Sequence, residues 1–198
     1  MLEQRIQQHF IDSADLKYQA AQALGAPIAA AVQAVLACVT SGGKVLACGN
    51  GPSAAEALQF ASFCVAGFER DRPELAALAL TSDSTLLTAG GGHDVAQQFA
   101  RQVRALGQAG DVLLALSITG NDANVIAAIE AAHERDMTVV ILTGRTGGKL
   151  APLVRETDVL ISVPHDRAAR VREVHALVLH CLCDGVDAQL LGEQEIPL

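Results

Sequence analysis

The segment Val112-Leu113-Leu114-Ala115-Leu116-Ser117-Ile118-Thr119-Gly120-Asn121-Asp122-Ala123-Asn124-Val125-Ile126 constrains this chain more than any other. An apolar run ends in a loop of hydroxyls and glycine, and a helical pattern starts at once. In a parallel α/β sheet such a junction lies at the carboxyl edge, where the amide N–H groups of the next helix face whatever sits there. Ser117 and Thr119 carry hydroxyl donors and Gly120 permits close backbone approach, which together suit a small phosphate. Asp122 stands where the anion would, and its carboxylate is able to take the same amides itself as a helix cap.

The same strand-then-helix rhythm runs from Lys44 onward. Strands are expected at Lys44–Cys48, Leu75–Leu80, Val112–Leu116, Thr138–Leu142 and Val159–Val163. Helical patterns lie between them near Ser53–Ala66, Asp94–Leu106, Asn121–Arg135 and Lys149–Val154, and a last long helix covers about Arg167 to Leu191. Uninterrupted apolar strands alternating with helices imply a doubly wound parallel sheet covered on both faces. Residues 1–41 precede this alternation. Leu2, Ile6, Phe10, Ala14 and Tyr18 recur at helical spacing, and a second helix is expected to start at Pro27 after Gly25-Ala26 and to end at Ser41-Gly42-Gly43. An amphipathic stripe outside the sheet layers suits packing on another subunit.

With 198 residues and no linker or repeat, the chain reads as a single domain, 1–198. A net charge of −8 argues against direct nucleic-acid binding, and the 3% aromatic content leaves few platforms for stacking bases. The five cysteines (Cys38, Cys48, Cys64, Cys181 and Cys183) form no C-x-x-C pair and lie among apolar neighbours, as reduced core thiols do. No apolar run is read as long enough for a membrane span, and no signal peptide is apparent, so a soluble cytoplasmic protein is expected.

Three successive strand ends carry the polar loops. The first reads Cys48-Gly49-Asn50-Gly51-Pro52-Ser53-Ala54-Ala55-Glu56, the second Leu80-Thr81-Ser82-Asp83-Ser84, and the third is the Ser-Ile-Thr-Gly-Asn loop above. Asn50, Gly51, Ser53, Ser82, Asp83, Ser117, Thr119 and Asn121 are therefore the candidate residues for a sugar-phosphate ligand. Gly144-Arg145-Thr146-Gly147-Gly148-Lys149 lacks the spacing of a nucleotide-binding loop and reads as an ordinary turn. His9 and His133 fall on polar helical faces, and Glu69-Arg70-Asp71-Arg72 reads as a solvated loop.

These loops lie within a series of motifs that resembles the sugar isomerase (SIS) domain family. The series comprises Gly42-Gly43-Lys44-Val45-Leu46, Cys48-Gly49-Asn50-Gly51, Arg72-Pro73, Arg104-Ala105-Leu106-Gly107 and Gly110-Asp111-Val112-Leu113-Leu114. It continues through Gly120-Asn121, Leu142-Thr143-Gly144-Arg145, Glu173-Val174-His175 and Cys181-Leu182-Cys183-Asp184, so it covers essentially the whole chain. The resemblance is to the branch holding the phosphoheptose isomerases and the DnaA initiator-associating proteins. It implies a five-stranded, flavodoxin-like α/β sheet and a homotetramer with the N-terminal helices (1–41) in its central bundle and sites between subunits.

The resemblance also implies a catalytic glutamate and histidine, with a metal held by that pair, a further histidine and a glutamine. Carried over position by position, the further histidine is Gln59, the glutamate is Phe63, the glutamine is Arg172, and only His180 remains. Pro52 replaces a glycine and removes an N–H donor, Asp122 replaces a serine, and Gly90-Gly91-Gly92-His93 replaces an Asn-Asp loop. A phenylalanine accepts no proton and a guanidinium repels a cation, so neither a metal nor another cofactor is expected. His180 is either a remnant of the catalytic site or a core histidine. His175 reads as a packed helix residue. On these positions the chain is expected to be a non-catalytic tetrameric adaptor for the replication initiator DnaA, with Leu190 and Leu191 at the end of the last helix as partner-binding residues. The alternative is a phosphoheptose isomerase that uses zinc and converts sedoheptulose 7-phosphate to D-glycero-D-manno-heptose 7-phosphate.

Overall fold

The computed structural model describes residues 1–81, 83 and 95–192. Five strands, β1 (Val45–Gly49), β2 (Ala77–Ala79), β3 (Val112–Ser117), β4 (Thr138–Gly144) and β5 (Val159–Val163), form one parallel sheet in the order β2-β1-β3-β4-β5. Strand positions alternate between the two faces and are buried on both. Val45 and Ala47 join one core cluster while Leu46 and Cys48 join the other, and Leu114 and Leu113 divide in the same way. That double burial is why the strands read as unbroken apolar runs.

The helices are α1 (Leu2–Thr40), α2 (Pro52–Ala66), α3 (Gln98–Leu106), α4 (Ala123–Glu134) and α5 (Ala168–Leu191). α1, α2 and α5 cover one face through Val35, Phe60, Val178 and Leu182, and α3 and α4 cover the other through Phe99, Val103 and Ile129. Each large side chain buried in this way contributes roughly 1.5–3 kcal/mol.

The N-terminal segment differs from expectation in being one helix rather than two, with Pro27 inside it. Leu16, Ala20, Leu24, Ala31, Val32, Val35 and Cys38 make one buried stripe that runs past Gly25-Ala26-Pro27 onto α5. Burial of that stripe outweighs the hydrogen bond lost at the proline. The helix expected at Lys149–Val154 is only a short 3₁₀ turn, Ala151–Leu153, because Gly147 and Gly148 adopt positive φ ahead of it and Pro152 sits in its first turn. α1 and α5 are each long and apolar enough to cross a membrane by length and composition, which corrects the reading that no such run exists. Here they pack on one another and on the sheet.

Three polar assignments are also corrected. His133 is buried rather than solvated, with Nε2 2.8 Å from Asp158 Oδ2, and Asp158 also accepts the amides of Val139 and Arg155. Arg72, expected in a solvated loop, is buried. Its Nε is 2.5 Å from Asp187 Oδ1, and its terminal nitrogens donate to the carbonyls of Phe63, Cys64 and Pro73. It clamps the end of α2 to α5. His9, also expected at the surface, is half-buried, and Arg170 donates to its carbonyl at 2.6 Å.

Candidate functional site

Strand order reverses between β1 and β3, and the crevice outside their carboxyl ends is where open α/β sheets place ligands. The loop after β1 supplies Asn50, Gly51 and Ser53, and the loop after β3 supplies Ser117, Thr119, Asn121 and Asp122, so the sequence-predicted residues of these loops do converge. β2 ends beside them, with Leu80 N donating to Ala47 O at 2.8 Å. Asp83 beyond it is exposed, whereas Ser82 and Gly90-Gly91-Gly92-His93 lie outside the described residues.

Close packing shapes this edge. A Cβ at Gly49 would lie 2.8 Å from Ser53 Cβ, so the chain turns into α2 only with glycine there. Gly120, at φ 67°, lies against the backbone of Gly147 and Gly148, and Leu150 N donates to Gly120 O at 3.1 Å. The turn after β4 therefore straps the β3 loop in place.

Within the crevice a polar network already links the two loops. Asn50 Nδ2 donates to Asn124 Oδ1 at 2.8 Å and to Asp122 Oδ1 at 3.1 Å, and Asn124 Nδ2 returns a bond to Asn50 Oδ1 at 2.8 Å. Ser117 Oγ donates to Asp122 Oδ2 and accepts the Gly120 amide at 3.0 Å. Asp122 occupies the N-cap position of α4, as its place before the helical pattern suggests, yet its side chain does not cap the helix. The carboxylate turns instead to Ser117 and Asn50, the donors a phosphate would use. Thr119 and Asn121 bond each other locally, and Asn121 Oδ1 also accepts the Lys149 amide at 3.3 Å.

Away from the crevice, towards the C-terminal end of α2, that helix meets α5. Phe63, Phe68 and His180 form an aromatic box with ring centroids 5.0 Å apart for Phe63–Phe68, 5.8 Å for Phe63–His180 and 5.2 Å for Phe68–His180. His180 is thus half-buried against two phenyl rings. His175 is fully buried, its Nε2 3.1 Å from Thr143 O, and burial depresses its imidazole to about 4, so it stays neutral. Leu190 and Leu191 are exposed at the end of α5.

Sequence reading missed Glu56. Its Oε2 is buried with no hydrogen-bond partner among the described residues, and burial raises its carboxyl above the ordinary range. A hydrogen bond from Ser53 and the charge of Arg172 on α5 act in the opposite direction. The available signal was its position one turn after Ser53, on the same face of α2 as Gln59 and Phe63.

A divalent metal of the kind the resemblance implies does not fit these residues. Phe63 has no donor, Arg172 is cationic, Gln59 is a neutral amide on an exposed stretch of α2, and His180 packs on rings. Among the described residues no three His, Cys, Asp or Glu side chains gather to hold a metal ion.

The SIS domain profile matches residues 8–144. The chain is 62% identical over 197 residues to the phosphoheptose isomerase of Methylibium petroleiphilum, covering 99% of this chain and 98% of that one. It is 51% identical to the phosphoheptose isomerase of Dechloromonas aromatica over 189 residues, covering 95% and 96% of the two chains. The solved phosphoheptose isomerase of Neisseria gonorrhoeae superposes with a TM-score of 0.90 at 48% identity, covering 95% of this chain and 100% of that one. These findings overturn the expectation of a non-catalytic adaptor for the replication initiator, and with it the leaning against an enzyme. That expectation let the changes at Gln59, Phe63 and Arg172 outweigh similarity along the whole chain, although a proton-transfer site can be rebuilt from other side chains while the scaffold persists. By profile, identity and fold, the chain belongs to the SIS domain family, in its phosphoheptose isomerase group.

Proposed function

We propose that this protein is a soluble, cytoplasmic aldose–ketose isomerase that interconverts sedoheptulose 7-phosphate and D-glycero-D-manno-heptose 7-phosphate. The observation that carries this reading is 62% identity to a phosphoheptose isomerase over nearly the whole chain. The crevice geometry is in keeping with it. Ser53, Ser117 and Thr119, with the N-termini of α2 and α4, offer donors to the phosphate, Pro52 having removed one amide from the set.

The isomerisation moves one proton between adjacent carbons. From the ketose, a base takes a C1 proton, the C–H pair forms the C1=C2 bond, and the C2 carbonyl oxygen gains a proton. The resulting enediol gives up its O1 proton as C1=O forms, and C2 receives the proton that left C1. Atoms balance without a co-reactant. Glu56, a carboxyl whose pKa burial raises, and the His180 imidazole, which lies two turns farther along the seam between α2 and α5, are the groups we assign to carry these protons.

The reading extends to assembly. Leu2, Ile6, Phe10, Ile11 and Tyr18 are exposed on α1, and a second copy of the chain in a homotetramer would cover them.

Incubating the purified protein with sedoheptulose 7-phosphate in D₂O and following the aldose anomeric signals by NMR tests the function. Formation of the aldose is expected, with deuterium at C2 in proportion to the exchange of the captured proton with solvent before the base delivers it. Absence of interconversion at millimolar substrate, with and without added zinc, would refute it.

A further inference from the structure

Resting on the isomerase reading above, we infer that this chain stabilises its enediolate with the Arg172 guanidinium in place of a divalent metal. Three observations carry the inference. First, the positions at which the resemblance implies metal ligands hold Gln59, Phe63 and Arg172, and the remaining His180 is enclosed by Phe63 and Phe68 with ring centroids 5.8 and 5.2 Å away. Second, a positive charge is present on α5, the helix that packs on α2. Arg172 lies in the second turn of α5, which starts at the carboxyl edge after β5, and its charge is felt by Glu56 on α2. Third, apart from this interaction with Glu56, the charge is not tied down. Arg172 has no ion pair among the described residues, whereas its neighbour Arg170 is held by Glu173 at 2.8 Å and by the His9 carbonyl.

The chemistry needs such a charge. When the C1 proton leaves, negative charge develops on the C2 oxygen, and an oriented cation lowers the barrier most because it interacts more strongly with that oxyanion than with the ground-state carbonyl. A guanidinium does this without a coordination sphere, and its fork can span the two adjacent oxygens of an enediolate. The proton bookkeeping is that of the isomerisation above: the Glu56 carboxylate takes the proton from C1 and returns it to C2, and the guanidinium keeps its own protons throughout.

The test combines zinc titration with kinetics. Chelator-treated protein is titrated calorimetrically with zinc, the metal content of the untreated protein is measured, and turnover of sedoheptulose 7-phosphate is followed with and without chelator for the native chain, Arg172→Lys and Arg172→Gln. The expected results are no stoichiometric zinc, turnover indifferent to chelator, and a fall in kcat of about a hundredfold or more for Arg172→Gln with KM changed far less. Arg172→Lys, which keeps the charge, should retain more activity than Arg172→Gln. Melting temperatures matching the native chain would exclude misfolding as the cause. One tightly held zinc per chain, or chelator-sensitive turnover, would overturn the inference and leave the isomerase reading standing, as would full activity in Arg172→Gln. Absence of turnover in the native chain under every metal condition would refute the isomerase reading and the role of Arg172 with it, while the zinc titration would still decide metal binding independently.

Discussion

Replacing Asp122 with serine should tighten sugar-phosphate binding. The Asp122 carboxylate accepts from Ser117 Oγ and, at 3.1 Å, from Asn50 Nδ2, so it occupies donors of both loops at the switch point. A phosphate that accepts from the same serine hydroxyl would sit about 5 Å from that carboxylate. At water-like screening each unit-charge pair at that distance repels by about 0.8 kcal/mol, and a phosphate near its second ionisation carries between one and two charges. Because Asp122 is only half-buried, the water-like limit is the appropriate one, and the net penalty is about 1–2 kcal/mol. Asp122→Ser should therefore bind sedoheptulose 7-phosphate roughly 5- to 30-fold more tightly. The gain should shrink as salt rises, because screening already weakens the repulsion in the native chain. Calorimetric titration at low and high ionic strength reads both effects. Asp122→Asn, which removes the charge but keeps the shape, should reproduce most of the gain. Equal or weaker binding in both variants, with unchanged melting temperature, would show that the carboxylate holds the loops in place and does not compete with phosphate.

Arg72→Ala should cost about 3–5 kcal/mol by denaturant unfolding, since it strands the buried Asp187 carboxylate and the carbonyls of Phe63 and Cys64. The double change Arg72→Met/Asp187→Leu should recover much of that loss. His175 gives the fold a pH dependence. Burial depresses its folded pKa to about 4 against an ordinary 6.5, so the unfolded chain binds the proton first. Its contribution is intact above pH 6.5 and is lost as pH falls to about 4, a total of about 3 kcal/mol, and unfolding midpoints of the native chain and His175→Gln across that window should converge towards the acid end. Changing Ile6 and Phe10 together to Asp should dissociate the proposed tetramer in sedimentation velocity, since both are exposed on α1, and an unchanged assembly would remove this helix from the interface.

The sheet was legible because its signal is local and repeated. Each strand is an apolar run bounded by turn residues, and the limits read for β5 match those observed, Val159–Val163. The strands at Lys44, Thr138 and Val112 were placed to within a residue or two. Features set by distant partners were not legible. Nothing near Arg72 announces that Asp187, 115 residues later, will meet it, and nothing near His133 announces Asp158. The same limit applied to Asp122. Its N-cap position could be read from the start of a helical pattern, but the direction of its side chain depends on Ser117 and on Asn50, 72 residues away. Pro27 shows the converse, a local break signal overridden by a buried stripe whose partner, α5, lies at the other end of the chain.

The site follows the same division. Residue types at aligned positions show which side chains differ from the set that the resemblance implies, and in the fold Phe63 meets His180 edge to face where a carboxylate was implied. They did not show what the three-dimensional neighbourhood offers instead. Glu56 gave no sign in the sequence of having a buried oxygen without a hydrogen-bond partner, because that burial depends on how α2 packs in three dimensions. On the proposed reading, Glu56 on α2 and Arg172 on the neighbouring α5 supply the base and the cation that an enediol shift requires. On that reading, loss of the aligned ligands changes how the charge of the reaction is met, and only the fold shows that α2 and α5, which carry Glu56 and Arg172, are neighbours.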